Sequence, residues 1–271
     1  MKVQKSFLFS AIFMLITFSS VSFVNAQGLL WSLPEDGTWV RYEGDYKETD
    51  LRPDAAEGAL KIQWDRHVII KSVGKETAKY EGKDVPCRWI EFKTLTGHTV
   101  EGAIDPGPAG QVIYKVLIPE IAITGKNKNL VDLPLAFVPV VKGFRKIGDH
   151  PVSKLNSGVL QIYPLISLLQ QYDNIKDIAK EDLDLPLGGI SANKQTASHK
   201  MERKASRSEN QASFWRSTEV PFGLAAWTVK IVREEKEASD NRSAFEQKAE
   251  IIVEMKAAEV GDGAQSELVT K

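Results

Sequence analysis

The sequence predicts a mainly β protein of the α+β class: a curved antiparallel sheet, or half-barrel, covered by a few helices. Three observations predict it. Apolar and polar residues alternate with a period of two over 60–73, the signature of a strand with one buried face. Several comparable runs follow one another across short turns, as in a meander. A mostly apolar stretch from 130 to 172, broken by Pro134, Pro139, Pro151 and Pro164, interrupts that series and supplies the expected cover.

Taken in order, residues 1–26 read as a secretory signal. Lys2 and Lys5 precede an apolar run over 7–18, and Val24-Asn25-Ala26 places small residues at a cleavage position. The run is short of the roughly 20 residues needed to span a bilayer, so the mature chain is expected to begin at Gln27, in the periplasm or outside the cell. No later apolar run is long enough to be a transmembrane segment. Removing Lys2 and Lys5 from 35 basic residues leaves 33 against 36 acidic ones, distributed without a block. That balance gives no electrostatic reason to bind nucleic acid.

Residues 27–258 are expected to form a single β-rich domain, partly helical in the Pro-broken segment at about 130–180. After a turn at Pro34-Glu35-Asp36-Gly37, Trp39-Val40-Arg41-Tyr42 is a short strand candidate. In the run over 60–73, Leu60, Ile62, Trp64, Val68 and Ile70 fall on one face. Lys61, Gln63, Asp65, His67 and Lys71 fall on the wet face. Further strands are expected over 87–95, over 96–104 pairing back across Gly97, and over 111–118. A helix starting at Pro164 would line up Leu165, Leu168, Leu169 and Tyr172, with Ile175 and Ile178 extending the stripe. Strand signals resume as a polar edge strand over 191–203, then over 212–215, 224–233 and 249–257. Residues 259–271 read as a flexible tail.

Familiar chemistry is missing from the string. His67, His98, His150 and His199 have no metal-ligand spacing, and no Walker loop, GxSxG or GxGxxG is present. No cofactor is expected. Ser72-Val73-Gly74-Lys75, Ser191-Ala192-Asn193-Lys194 and Ser239-Asp240-Asn241 match fragments of the penicillin-interacting serine enzymes, but KTG is absent and neither serine–lysine pair sits on a helix-compatible stretch. Cys87, the single cysteine, lies in an apolar run and reads as a packed thiol.

Phe214-Trp215-Arg216-Ser217-Thr218-Glu219-Val220-Pro221-Phe222-Gly223-Leu224 resembles a segment of the LolA-like secreted bacterial proteins. Residues 29–42, from Leu29-Leu30-Trp31 to Tyr42, resemble the start of a set of uncharacterised bacterial envelope proteins. The resemblance implies a half-barrel with helices over its open side and the carriage of lipidated or greasy molecules. No site residue transfers with it. Read from the residues alone, Trp64, Trp89 and Trp227 are candidates to line an apolar pocket between sheet and helices, with core packing as the alternative. The expected function is an exported non-enzymatic binding or carrier protein holding a lipid or other apolar small molecule. An envelope module that engages a protein partner is the alternative, followed by an enzyme with a dispersed active site.

Overall fold

The structure, a computed structural model, describes residues 29–52, 56–106, 111–123, 125, 138–156, 158–160 and 175–269. The proposed signal and the helical stripe from Leu165 to Tyr172 lie outside these residues. Among the described residues there is no α-helix, only strands and three 3-10 turns. The strands are β1 (Trp39–Asp50), β2 (Leu60–Tyr80), β3 (Lys83–Val100), β4 (Ala103–Asp105), β5 (Val112–Pro119), β6 (Val138–Pro139) and β7 (Lys142–Ile147). They continue as β8 (Ser153–Lys154), β9 (Val159–Leu160), β10 (Lys176–Leu185), β11 (Gly188–Glu202), β12 (Ser206–Arg216), β13 (Leu224–Glu235) and β14 (Glu246–Gly261).

One open antiparallel sheet runs in the order β10-β11-β12-β13-β14-β1-β2-β3-β5-β7-β8, with β4 beside β3. Strands β6 and β9 form a separate ribbon. The order is a meander except at one seam, where the last strand, β14, pairs with the first, β1, from Trp39 opposite Gly261 to Asp50 opposite Ala249. Two hairpins turn on the same dipeptide, Glu81-Gly82 and Glu101-Gly102. Both residues of each have positive φ, as a two-residue type I′ turn requires. The expected pairing across Gly97 is therefore displaced: β3 runs on to Val100 before it turns back into β4.

The even-numbered face of β2 is buried as the alternation predicts, with Val68 and Ile70 fully enclosed. The inner face collects Tyr42, Phe92, Phe214, Trp227, Val229, Ile251, Val253 and Met255 into one core. Trp227 meets Tyr42 edge-on at 4.9 Å, and the buried Tyr42 hydroxyl donates to the Leu224 carbonyl at 2.9 Å. That bond satisfies a polar atom that would otherwise be costly to bury.

Among the described residues no helix covers the sheet, which corrects the expected α+β layering. Ile175 is buried, but Ile178 is 53 % exposed on β10, so residues 176 onward extend the sheet rather than a helix. Burial is achieved by irregular chain and by curvature. Residues 29–31 pack onto the inner face, joined by Val138, Val140 and the Pro221–Gly223 turn. The sheet also curls until β10 approaches β14, although three strands separate them. Small side chains at Ala192, Ala197 and Ala212 line the curled part. Because β10 lies outside it, β11 is not the edge strand that its polarity suggested.

A buried polar knot ties the first turn to the sheet. Arg88, 5 % exposed, donates to the Pro34 carbonyl at 2.8 Å, to Ser72 Oγ at 3.0 Å and to Glu120 at 2.9 Å. Ser72 and the Gly74 amide in turn donate to Asp36, each at 2.8 Å.

The segment read as a loose tail is packed down on the outer face. Glu91, wholly buried, accepts bonds from Ser266 Oγ at 2.7 Å and from the amides of Glu267 and Leu268 at 3.1 and 3.2 Å. Leu268 is 1 % exposed, and Glu267 pairs with Lys71 and, at 2.7 Å, with Lys93.

Two predictions follow from these contacts. A β-carbon on Gly44 would sit 1.8 Å from the Glu254 carbonyl oxygen on β14, whereas one on Gly189 meets nothing within 4 Å. Gly44→Ala is therefore expected to lower unfolding free energy in urea by at least about 1–3 kcal/mol, with Gly189→Ala close to neutral. The second concerns acid. Burial pushes the Glu267 carboxyl up, but the hydrogen bonds and charges of Lys71 and Lys93 outweigh it and leave the group below its ordinary value. A carboxyl lowered in the folded state stabilises above the unfolded value and loses that contribution as pH falls through the folded one. Urea unfolding should thus show a stability contribution that falls progressively as pH drops from the ordinary carboxylate value to the lower folded one. Glu267→Gln should flatten that acid step.

Candidate functional site

The three tryptophans expected to line one pocket are not brought together. Trp227 is fully enclosed in the core, between Phe214 and Met255 on the neighbouring strands. Trp64 shares that inner face but lies toward the other end of β2, half-buried, with its ring 4.5 Å from that of His98. Trp89 is on the opposite face. There it stacks on Phe144 at 6.2 Å, lies 5.3 Å from Lys115 Nζ and 5.5 Å from Lys142 Nζ, and donates to Glu76 at 3.0 Å.

A different site forms where the two stretches singled out in the sequence meet. Trp31 stacks on Phe214 at 5.6 Å, and its amide donates to the Phe222 carbonyl at 2.8 Å. Gly223, at φ +81°, makes this approach possible, since a β-carbon there would lie 2.9 Å from that of Trp31. Phe222 itself holds a positive φ of 64°, a strained conformation for an aromatic residue that the docking fixes in place. The Arg216 guanidinium lies 3.9 Å above the Trp31 ring. Gln195 enters from β11, whose register pairs it with Phe214 and pairs Asn193 with Arg216.

Trp31, Gln195, Arg216 and Gly223 line a cavity of about 570 Å³, together with Asp177, Lys180, Lys194 and Ser217. Its volume is within the range of small-molecule sites. Trp31 and Gln195 are each only 5 % exposed. Trp31 Nε1, Arg216 Nε and Gln195 Oε1 are buried with no hydrogen-bond partner among the described residues. Burial holds the Arg216 guanidinium below its ordinary value, with Asp177 opposing.

The surrounding polar groups are otherwise occupied. Gln195 Nε2 donates to Asp177 at 2.5 Å, and Lys194 and Trp215 donate to Glu181 at 3.1 and 2.8 Å. Ser217 Oγ donates to the Ser191 carbonyl at 2.9 Å, so its proton is not held by a base. Ser191 and Lys194 lie on a strand, which removes the helical spacing of a serine–lysine pair. Among the described residues, no group of three His, Cys, Asp or Glu side chains is placed to hold a metal ion. The Cys87 thiol is buried, which pushes its pKa up.

The outer face carries a further hollow of about 690 Å³ that includes Arg41, Glu43, His67 and Glu259. Its charges satisfy each other: Arg41 reaches Glu43 at 2.9 Å and Glu259 at 3.0 Å. Burial, then the Arg41 charge, hold the His67 imidazole below its ordinary value.

Sequence reading quoted Trp31 and Arg216 within the two resemblance stretches but did not bring them together, and it missed Gln195. Trp227→Ala should cost about 3–5 kcal/mol of stability in urea unfolding, as emptied aromatic core sites do. Trp89→Ala, on the half-open outer face, is expected to cost less than half of that.

No family model and no curated protein matches the sequence. Among solved structures, the chain is similar to a candidate lipoprotein from Parabacteroides distasonis ATCC 8503, at 8 % identity and a TM-score of 0.35, over 86 % of this chain and 98 % of that one. It is also similar to a candidate exported protein with a YmcC-like fold from Bacteroides fragilis NCTC 9343. That match has 7 % identity and a TM-score of 0.31, over 86 % and 99 % of the two chains. Neither name includes the LolA-like group.

Proposed function

We propose that this chain is an exported, non-enzymatic binding protein that holds a small polar molecule in the pocket of Trp31, Gln195 and Arg216. The observation that carries the reading is the hollow of about 570 Å³, of small-molecule size and lined by aromatic, amide and cationic side chains, among them Trp31, Gln195, Arg216, Lys180 and Lys194. Export is supported by the N-terminal sequence pattern of charge, apolar run and small residues. A binding role is favoured over catalysis because the Ser217 hydroxyl and the Lys194 amine at the pocket are engaged in other bonds rather than paired as nucleophile and base.

A greasy ligand held against the sheet has less support. The inner face is filled by Trp227, Tyr42, Phe92 and Phe222, all essentially fully enclosed, and among the described residues no helix lies over it. Strand addition at the β10 edge is also disfavoured, because that edge presents Lys176, Asp177, Lys180, Glu181, Asp182 and Asp184.

Native mass spectrometry of the protein purified from its exporting host, paired with a thermal-shift screen of polar metabolites, tests the reading. The expected result is a stoichiometric small molecule, or a compound that raises the melting temperature of the wild type and not of Gln195→Leu. A protein that is ligand-free and unshifted by the whole screen overturns it.

A further inference from the structure

A second surface lies on the outer face of the sheet, apart from the pocket. Strands β5, β7 and β8 carry Lys115, Lys142, Arg145, Lys146 and Lys154 and no acidic residue. Register puts the four lysines on the side that presents Trp89. Leu117 pairs with both Trp89 and Lys142, Phe144 with both Lys115 and Lys154, and Ile113 with both Lys93 and Lys146. Lys71, opposite Glu91 on the neighbouring strand, joins Lys93 on the same side. A formal net charge of −1 over the whole chain conceals this gathering, because the lysines are far apart in sequence and meet only through strand pairing.

Part of this face already holds an acidic segment, the chain's own tail. Glu267 pairs with Lys71 and Lys93, and Lys115 Nζ donates to the Leu268 carbonyl at 3.4 Å. The Leu268 side chain is buried beside these charges. An acid followed by an apolar residue is thus held by ammonium groups around a sheltered side chain. The part over β7 and β8 repeats these ingredients. Lys142 and Lys154 are exposed and Lys146 is half-buried, and none of the three forms an ion pair among the described residues. Trp89 and Phe144, stacked and half-buried, supply the apolar surface.

We propose that the outer face over β7 and β8 docks an extended acidic segment of a partner protein. Carboxylates of the segment pair with Lys142, Lys146 and Lys154, and an apolar residue between them packs on Phe144 beside Trp89. Exposed charges of this kind set encounter rate and orientation more than affinity, so the apolar contact is needed to hold the segment. A stacked sugar is disfavoured, because the Lys115 and Lys142 ammonium groups lie 5.3 and 5.5 Å from the Trp89 ring centre and compete for the indole. The strands contribute the surface without any edge pairing, and the pocket reading does not enter.

The test is fluorescence anisotropy of the wild-type protein with a fluorescein-labelled peptide of repeated Ser-Glu-Leu-Glu, and with the same peptide carrying glutamine for glutamate. The acidic peptide should bind saturably, about tenfold or more tightly than the glutamine peptide, and lose that advantage at high salt. Hydrogen exchange on the unaltered protein should show peptide-dependent protection within residues 142–155, which locates the site without any variant. Reversing charge at Lys142→Glu, Lys146→Glu and Lys154→Glu together should weaken the acidic peptide about tenfold or more. The same reversal at Lys61, Lys204 and Lys256, exposed lysines elsewhere, should change it little. Equal binding of the two peptides, no binding of either, or protection confined to other strands overturns the proposal. So does capture of phosphatidylglycerol vesicles in place of the acidic peptide, which assigns the face to a membrane surface instead.

Discussion

A single-layer sheet must hide one of its faces, and everything else in this structure follows from how the described residues do that with irregular chain and curvature. The inner face carries Tyr42, Phe92, Phe214 and Trp227, far too much apolar surface to leave wet. Curling brings β10 back toward β14 over the small residues Ala197 and Ala212, while the chain around Trp31 is laid across the gap beside Phe214 and Phe222. The cost of irregular cover is that its backbone needs partners that a helix would supply internally. Arg88, Ser72 and Asp36 provide some of them, and the Phe222 carbonyl provides another by accepting from Trp31.

The candidate site is a by-product of that solution. Trp31 is held down by its ring on Phe214 and its amide on Phe222, as part of the core cluster. Arg216 ends β12 and folds over the same ring, and Gln195 arrives from the neighbouring strand by register alone. A rigid scaffold thus lines the hollow with fixed side chains. Binding groups on strand ends and docked turns are positioned more firmly than groups on free loops.

Much of the sheet could be read in advance because one-sided burial writes itself into alternation, as over Leu60 to Ile70. Where burial is two-sided or absent, the signal fades. Around Cys87 to Phe92 both faces are covered, one by the core and one by the docked tail on Glu91, so the run could not say which way Trp89 points. Strand β10 is nearly all exposed, and its charged sequence carried no apolar period at all. Ile175 and Ile178 fitted a helical stripe by spacing, yet only Ile175 is buried. The pocket was partly visible as two unusual stretches, but their contact joins positions 31 and 216. No local pattern encodes a separation of that kind.

The seam between β1 and β14 gives the sheet a circular logic. Every other neighbour pair in the large sheet joins strands close along the chain, so those hairpins can form as soon as their residues exist. The seam alone waits for the last strand, because Trp39 must find Gly261 and Asp50 must find Ala249. Until then two half-sheets stand with bare central edges, and Trp227 and Tyr42, which come from opposite sides of the seam, have no packing partner in each other. The protein's cooperativity is thereby concentrated in one late, long-range closure. A chain shortened by a single strand at its end would lose the joint that makes two halves one body.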